Sequence, residues 1–149
     1  HDGEDRRAQL SLARAYGWRE DYPRAIAHFR EYVPAEKLSL GIATNSQHWY
    51  TSYDERIQPE LARSYSAQLT YNWARHIIDR NNGTIHWDDV QQTAYSVFSV
   101  EGTNDWIYLE DARSFNARVD LARRHGLRGF SVWVLGVEDP EIWAGLRER

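Results

Sequence analysis

Apolar residues recur at helical spacing in several segments of the chain. In residues 21–33, Ile26, Phe29 and Val33 lie three or four positions apart, and this spacing predicts a helix with one buried face. Asp21 is of a residue type that caps the first turn of such a helix. The same spacing predicts further helices over residues 68–79, from residue 111 or 114 to 125, and from residue 139 onward, with a short one over residues 4–15.

Two apolar runs, residues 37–43 and 127–135, predict strands that are buried on at least one face. The chain between them is long and contains a helix that can pack back onto the sheet, which is the order of a βαβ unit with parallel strands. Two parallel strands cannot bury both of their faces alone. The order of elements therefore predicts an α/β fold that forms the closing part of a larger barrel.

A small inserted unit is predicted between those two strands. Residues 84–87, 93–100 and 105–109 predict three short strands, and the Gly-containing turn at residues 101–104 joins the last two into a hairpin. Residues 44–66 have no clear period and are rich in polar and aromatic side chains. We expect them to form a loop that is functional or held against a neighbouring element.

Composition narrows the possible functions of the 149 residues. The net charge of −4 and the lack of a long basic run argue against nucleic acid as a partner, and no apolar stretch is long enough to span a membrane. Without cysteine there are no thiolate metal sites. The histidines show no metal-ligand spacing, although His86 lies near Asp88 and Asp89, so we predict neither a metal nor a cofactor. The chain has no methionine, and we expect it to be a processed product or a fragment.

Aromatic residues are numerous and of a particular kind. The chain has seven Trp and nine Tyr but only four Phe. Trp and Tyr carry a polar atom beside a large flat face, and sugars stack on such faces through their C–H groups. The composition leaves two interpretations open, namely a ligand-facing aromatic surface and a core that is rich in Trp.

Three blocks of sequence resemble glycoside hydrolase family 18 and occur in the order found in that family. Residues 33–42 (VPAEKLSLGI), followed by Trp49, are similar to the seventh barrel strand. Residues 106–114 (WIYLEDARS) resemble the return from the inserted α+β module, and residues 126–143 (GLRGFSVWVLGVEDPEIW) resemble the eighth strand and its helix. The resemblance is nearest to bacterial spore-cortex and cell-wall N-acetylglucosaminidases and to chitinase-like domains.

The resemblance implies the C-terminal portion of a (β/α)8 TIM barrel, with strands 7 and 8, their helices and a small α+β insertion. It implies action on β-1,4-linked N-acetylglucosamine glycans, chitin or peptidoglycan, outside a bacterial cell or in its envelope. It also implies, as further partners, the missing N-terminal half of the barrel or a second copy of the chain. The expected parts are residues 1–43 with helices and strand 7, residues 44–110 with the loop and insertion, and residues 111–149 with a helix, strand 8 and the terminal helix.

The catalytic signature of this family, DxxDxDxE, does not occur in the 149 residues. In the family its Glu protonates the glycosidic oxygen, and the N-acetyl group of the substrate acts as nucleophile with retention of configuration. We therefore expect no catalytic residue in this chain, and whether it is an enzyme by itself stays open. The alternatives are a non-catalytic carbohydrate-binding module, a degenerate barrel, or a structural fragment without a ligand.

Four residues are candidates for substrate binding. Trp133 lies near the end of the last strand, where α/β barrels carry their active sites, and the resemblance makes it the floor under the reacting sugar. Trp49 and Asn45 follow the other strand, and Tyr50 would extend the same groove together with His48 and Tyr53. Packing in a core or loop is the alternative for each of these residues.

Two acidic pairs, Glu110–Asp111 and Glu138–Asp139, resemble the paired carboxylates of ordinary glycosidases. Each pair directly precedes a predicted helix, where Asp favours capping. We therefore predict that these carboxylates cap helices rather than act as catalysts.

Overall fold

A computed structural model of the protein describes residues 21–51 and 64–147. The predicted helix over residues 4–15 and the candidate Tyr53 lie outside the described residues. In chain order, the elements are helix α1 (Tyr22–Arg30), a 3₁₀ turn (Ala35–Lys37), strands β1 (Ser39–Ala43), β2 (Ser46–Thr51) and β3 (Ser64–Leu69), helix α2 (Tyr71–Arg80), strands β4 (Thr84–Asp88), β5 (Thr93–Val100) and β6 (Thr103–Leu109), helix α3 (Ala112–Arg124), strand β7 (Gly129–Trp133) and helix α4 (Glu141–Arg147).

The described residues form two compact units. The first contains residues 21–41 and 118–131, and the second contains residues 42–51, 64–117 and 132–147. In the first unit, Asp21 caps α1 as predicted, because its carboxylate accepts a hydrogen bond from the Arg24 N–H at 3.4 Å. The 3₁₀ turn takes up the beginning of the predicted strand over residues 37–43, so that β1 starts at Ser39.

Strands β1 and β7 form a two-stranded sheet. In the first unit the Arg128 N–H donates to the Leu38 carbonyl at 2.9 Å, and in the second the Thr44 N–H donates to the Trp133 carbonyl at 2.7 Å. Both strands advance in the same direction between these two bonds, so they run parallel, as the βαβ order predicts.

The prediction that residues 127–135 form a buried strand is wrong in extent and in burial. β7 covers Gly129–Trp133, none of its residues is fully buried, and Trp133 at its end is 68% exposed. Within the part of the chain that the structure describes, β1 is the one strand paired with β7. A strand with a single neighbour keeps much of its surface exposed.

The second unit contains a five-stranded antiparallel sheet in the order β3-β2-β6-β5-β4. The predicted hairpin is confirmed, because β5 and β6 pair from Ala94–Leu109 to Val100–Thr103 across a turn at Glu101 and Gly102. Both turn residues have positive φ, 50° and 86°, which suits a tight reversal between strands.

The prediction of a loop over residues 44–66 is wrong where the structure describes it, because β2 and the start of β3 lie there. The strand signal is hidden in β2, since polar Ser46 is fully buried while Trp49 is 44% exposed. The helix predicted over residues 68–79 starts later, at Tyr71. Its cap is the Thr70 hydroxyl, which accepts a hydrogen bond from the Trp73 N–H at 3.2 Å.

One face of the five-stranded sheet packs against α2 and forms a core. Buried residues (Asp105, Ile107 and Leu109) alternate with more exposed ones along β6, as expected for a sheet with one covered face. The sheet and the helix together bury six apolar side chains, those of Ala74, Ile78, Ala94, Phe98, Ile107 and Leu109.

The predicted helix caps before α3 and α4 are confirmed. The Asp111 carboxylate accepts hydrogen bonds from the Ser114 N–H and hydroxyl, both at 2.8 Å. The buried Asp139 carboxylate accepts from the Ala112 N–H at 2.9 Å and from the Glu141 N–H at 3.0 Å. Asp139 thereby connects the first turns of two helices in the second unit.

Candidate functional site

Trp133 ends β7 and begins an exposed apolar stretch. Its side chain is 68% exposed, and those of Val134 and Leu135 are 40% and 65% exposed. The Trp133–Val134 peptide bond is cis. Three consecutive exposed apolar side chains at the end of a strand are typical of a surface that meets a ligand or a partner.

Backbone hydrogen bonds fix the segment that carries Trp133. The buried Thr44, directly after β1, donates its N–H to the Trp133 carbonyl at 2.7 Å and its hydroxyl to the Val134 carbonyl at 2.6 Å. Further along, the Tyr71 N–H donates to the Val137 carbonyl at 2.7 Å. The main chain is held on both sides of the exposed side chains, so the indole of Trp133 is presented from a defined position.

The Glu138 carboxylate closes the turn after this segment. One oxygen accepts hydrogen bonds from the N–H groups of Gly136 and Val137, the latter at 2.9 Å, and the other accepts from the indole N–H of Trp143 at 3.0 Å. The pKa of Glu138 lies below its ordinary value of 4.5, because the carboxylate accepts hydrogen bonds from its own backbone N–H, from the Trp143 indole and from the two neighbouring N–H groups. Partial burial acts in the opposite direction and is outweighed. Glu138 is therefore a structural carboxylate that stays ionised near neutral pH.

Trp49 lies on the exposed face of β2. It pairs with Ser66 of β3 on one side and with Trp106 of β6 on the other. The side chains of Trp49 and Trp106 are 44% and 41% exposed. Since residues that are directly paired across neighbouring strands point to the same face, the two indoles are neighbours on one surface.

Tyr50 and His48 lie on the opposite face of β2, because successive side chains of a strand alternate. The Tyr50 ring lies 5.0 Å from the His48 ring and 5.9 Å from the Tyr65 ring, measured between centroids. The His48 Nε2 atom lies 3.1 Å from the Asp105 carboxylate, which is buried. The structure thus separates two of the predicted site residues, Trp49 and Tyr50, onto different faces of the sheet.

Asn45 lies in the short connection between β1 and β2 and is half-buried. It follows Thr44, whose hydrogen bonds secure Trp133 and Val134. Asn45 is therefore the chain neighbour of a residue that positions the Trp133 segment.

The remaining acidic and histidine candidates have local structural roles. Asp88 accepts hydrogen bonds from the N–H groups of Val90 and Gln91 at 2.8 and 2.9 Å. The His86 ring lies 5.4 Å from the Tyr95 ring. Among residues 21–51 and 64–147, no group of three metal-ligating side chains comes together.

Sequence reasoning did not single out Thr44, Trp106, Tyr95 or Tyr108. Burial alternates along residues 104–109, but their sequence (NDWIYL) does not show it, because Asp105 is buried while Trp106 and Tyr108 are exposed. Nothing in the sequence marks Thr44 either, because its role depends on a partner 90 positions away in the chain.

The described residues form an α/β protein with a two-stranded parallel sheet and a five-stranded antiparallel sheet. The sequence model described as glycosyl hydrolases family 18 matches residues 7–138 of this chain. The chain belongs to glycosyl hydrolases family 18. The resemblance stated from its sequence is therefore confirmed.

Individual relatives agree with this assignment. The chain is 31% identical over 118 residues to a cortical fragment-lytic enzyme of Bacillus subtilis, which covers 78% of this chain and 26% of that protein. It is 27% identical over 116 residues to the class V chitinase CHIT5 of Lotus japonicus, covering 70% of this chain and 26% of that protein. The chain thus spans about a quarter of the length of these two curated relatives.

Solved structures establish the fold. The spore cortex-lytic enzyme SleL of Bacillus megaterium matches with a TM-score of 0.69 and 22% identity, over 83% of this chain and 28% of that one. A chitinase from Chromobacterium violaceum matches with a TM-score of 0.68 and 22% identity, over 83% of this chain and 36% of that one. The α/β prediction is confirmed in its coarser form, because the described strands make up only part of a barrel.

No described helix combines the length and the apolar character that crossing a membrane requires.

Proposed function

We propose that this chain provides walls of the sugar-binding subsites in a family 18 glycoside hydrolase that acts on β-1,4-linked N-acetylglucosamine glycans, chitin or peptidoglycan. In this proposal β1 and β7 are strands 7 and 8 of the barrel, and residues 44–110 are its inserted module. The observation that carries the proposal is the position of Trp133, which is 68% exposed at the C-terminal end of β7.

The C-terminal ends of barrel strands are where such folds carry their active sites. An exposed indole in that position offers a flat apolar face for the C–H groups of a sugar ring and an N–H for a hydroxyl or an amide oxygen. The backbone around Trp133 is already fixed by Thr44, so little ordering of the main chain is needed when a sugar binds. A fixed, exposed tryptophan is suited to be the floor of a subsite.

The names of the relatives indicate which glycans to test. The Bacillus subtilis protein is called a cortical fragment-lytic enzyme, and several matching structures are called chitinases. Chitin is a polymer of N-acetylglucosamine, and the glycan of bacterial cortex contains the same sugar. We take β-1,4-linked N-acetylglucosamine as the shared recognition unit.

Two further candidate residues support the proposal through their positions. Trp49 presents a second exposed indole on the inserted sheet, and Asn45 lies beside Thr44 with an amide that could bind an N-acetyl group. Tyr50 projects from the other face of β2, which it shares with His48 and which faces α2, so its position adds no support to the proposal.

The proposal assigns no catalytic residue to this chain. The DxxDxDxE spacing does not occur in the 149 residues, and the Asp111 and Asp139 carboxylates are engaged in capping helices. We therefore expect residues 1–149 alone to bind N-acetylglucosamine oligomers without hydrolysing them.

The experiment combines binding and turnover measured on the same preparation. Titration with an N-acetylglucosamine trimer should change the tryptophan fluorescence in a saturable way, while chromatography after long incubation should show the trimer intact. Release of shorter sugars would contradict the subsite-wall proposal. Lack of saturable binding would contradict both this proposal and its alternative, a non-catalytic carbohydrate-binding module or degenerate barrel.

A further inference from the structure

Charge is distributed unevenly between the two described units. In the first unit, residues 21–41 contain three Lys or Arg and three Asp or Glu, and residues 118–131 contain four Lys or Arg and one Asp. In the second unit, residues 64–117 contain three Lys or Arg and seven Asp or Glu, residues 132–147 contain one and three, and residues 42–51 contain neither. The first unit is therefore positive within a chain whose net charge is −4, and such a separation of charge determines which partners a surface attracts.

Three exposed basic side chains of the first unit lie near the start of β7. Arg124 is the last residue of α3, Arg128 directly precedes β7, and Lys37 ends the 3₁₀ turn before β1. The Leu127 N–H donates to the Ala122 carbonyl at 3.0 Å, so the chain turns back on itself between Arg124 and Arg128. We call the surface formed by Lys37, Arg124 and Arg128 the basic surface.

A second set of hydrogen bonds attaches the 3₁₀ turn to the same place. The Arg128 N–H donates to the Leu38 carbonyl at 2.9 Å and to the Ala35 carbonyl at 3.3 Å. These two carbonyls lie on either side of Lys37 in the chain. The backbone that carries Lys37 is therefore bonded to the backbone that carries Arg128, and the two cations are held as neighbours.

Local interactions do not account for this group of charges. Arg123 lies 3.9 Å from the carboxylate of Asp120, whereas no carboxylate of the described residues forms an ion pair with Lys37, Arg124 or Arg128. The helix dipole favours a cation in the last turn of α3. That effect explains Arg124 but not Arg128, which lies outside any helix.

Exposed cations without local partners attract anionic groups. Glu36 adjoins Lys37 in the chain and reduces the positive charge of the basic surface without cancelling it. The two glycans of the proposed function differ in this respect, because chitin is uncharged whereas the lactyl groups and peptides of peptidoglycan carry carboxylates. The charge of the basic surface therefore favours peptidoglycan.

We propose that the basic surface binds carboxylates of peptidoglycan, so that this chain associates more strongly with peptidoglycan than with chitin. The inference rests on the proposed function for the glycan itself and adds a choice between its two substrates. Arg128 precedes β7 and Trp133 ends it, so the carboxylate contact and the sugar contact are made from different ends of that strand. A peptidoglycan network offers many carboxylates, and one particle can meet both contacts.

The test measures how residues 1–149 sediment with insoluble peptidoglycan, stripped of its phosphate-bearing polymers, and with chitin particles. The double variant Arg124→Gln/Arg128→Gln removes two charges of the basic surface, and Arg75→Gln/Arg80→Gln makes the same change on α2 as the matched control. We expect the first variant to weaken peptidoglycan binding by roughly threefold to tenfold, the scale of two exposed ion contacts, and chitin binding by less than about twofold. Raising NaCl from about 50 mM to about 300 mM should weaken peptidoglycan binding of the wild-type protein in the same way, because salt screens exposed charges.

Three outcomes would overturn the inference. The first is equal sedimentation of the wild-type protein and Arg124→Gln/Arg128→Gln with peptidoglycan while both bind an N-acetylglucosamine trimer, which would leave the proposed function intact. The second is an equal loss of peptidoglycan binding in the α2 control. The third is charge-dependent binding only to peptidoglycan that still carries its phosphate polymers, because the surface would then bind phosphates.

A separate measurement distinguishes failure of the proposed function. If the wild-type protein did not bind the trimer, the proposed function would fail, and the comparison of the two double variants would still decide whether the basic surface binds carboxylates. Thermal unfolding checks that each variant is folded. Lys37→Gln tests the same surface if Arg124→Gln/Arg128→Gln does not fold.

Discussion

Replacing Glu138 by Gln tests how strongly its carboxylate stabilises the turn after β7. The carboxylate accepts hydrogen bonds from two backbone N–H groups and from the Trp143 indole. The variant keeps the size of the side chain but removes its charge and replaces one accepting oxygen by a donating NH₂ group. At least one of the backbone N–H groups or the indole then loses its acceptor.

The magnitude follows from the strength of these bonds. Hydrogen bonds to ionised groups contribute about 1.5–3 kcal/mol when buried, but solvent weakens bonds to a side chain as exposed as Glu138. We expect a total loss of about 1–2 kcal/mol at neutral pH. For a domain of this size the melting temperature would fall by roughly 3–8 °C.

The loss should depend on pH in a defined direction. Because the folded protein holds the pKa of Glu138 below the ordinary value of 4.5, the stabilisation is fully present above that pH. It disappears as the pH falls through the lowered pKa, since protonation removes the charge. The difference between wild-type and Glu138→Gln proteins should therefore shrink steadily below pH 4.5.

The assay is thermal unfolding followed by circular dichroism between pH 7 and pH 3. Glu36→Gln serves as the matched control, because Glu36 is an exposed carboxylate in the 3₁₀ turn. The reasoning is refuted if Glu138→Gln melts with the wild-type protein at pH 7. It is also refuted if the deficit remains constant down to pH 3.

Two further predictions concern the core between the five-stranded sheet and α2. Gly83→Ala should destabilise the protein by about 1–3 kcal/mol, because an added Cβ atom would lie 2.7 Å from the Ser96 hydroxyl and 3.1 Å from Ile78 and Phe98. Unfolding in urea measures this loss, and a variant that unfolds at the wild-type midpoint would contradict the prediction. Ile107→Ala should cost about 2–5 kcal/mol, because Ile107 is fully buried between sheet and helix; a loss below about 1 kcal/mol in the same urea assay would show that the core is not packed as described.

Local chemistry made part of this fold predictable from the sequence. Asp21 and Asp111 precede apolar helical patterns and cap those helices in the structure. The glycine-containing turn at residues 101–104 separates two strand patterns, and β5 and β6 pair across Glu101 and Gly102. In each case the responsible residues are neighbours in the chain, so a short window of sequence contains the whole signal.

Long-range pairing made the rest unpredictable. Ser46 is buried in β2 because its hydroxyl accepts a hydrogen bond from the Glu110 N–H, 64 positions away. Trp49 is exposed on the same strand, so the usual alternation of apolar and polar residues is lost. The sequence predicts too early a start for α2, because Leu69, which ends β3, has the apolar character expected of a helix face.

The candidate site shows the same division between local and distant signals. The position of Trp133 at the end of an apolar strand was visible in the sequence, and the structure exposes it there. Thr44, which holds it, acts through hydrogen bonds to the Trp133 and Val134 carbonyls, and Glu138 binds backbone N–H groups in the turn that follows. Such bonds leave no residue pattern, and they became visible only in the folded chain.

The most direct test of the account is the affinity of an N-acetylglucosamine trimer for Trp133→Ala, measured by calorimetry beside the wild-type protein and Trp73→Ala. Removing an indole that stacks on a sugar should weaken binding by at least about tenfold, with melting temperature nearly unchanged because Trp133 is mostly exposed. Trp73→Ala should bind as the wild-type protein does. Equal affinity of all three proteins would contradict the claim that Trp133 forms the floor of a sugar subsite.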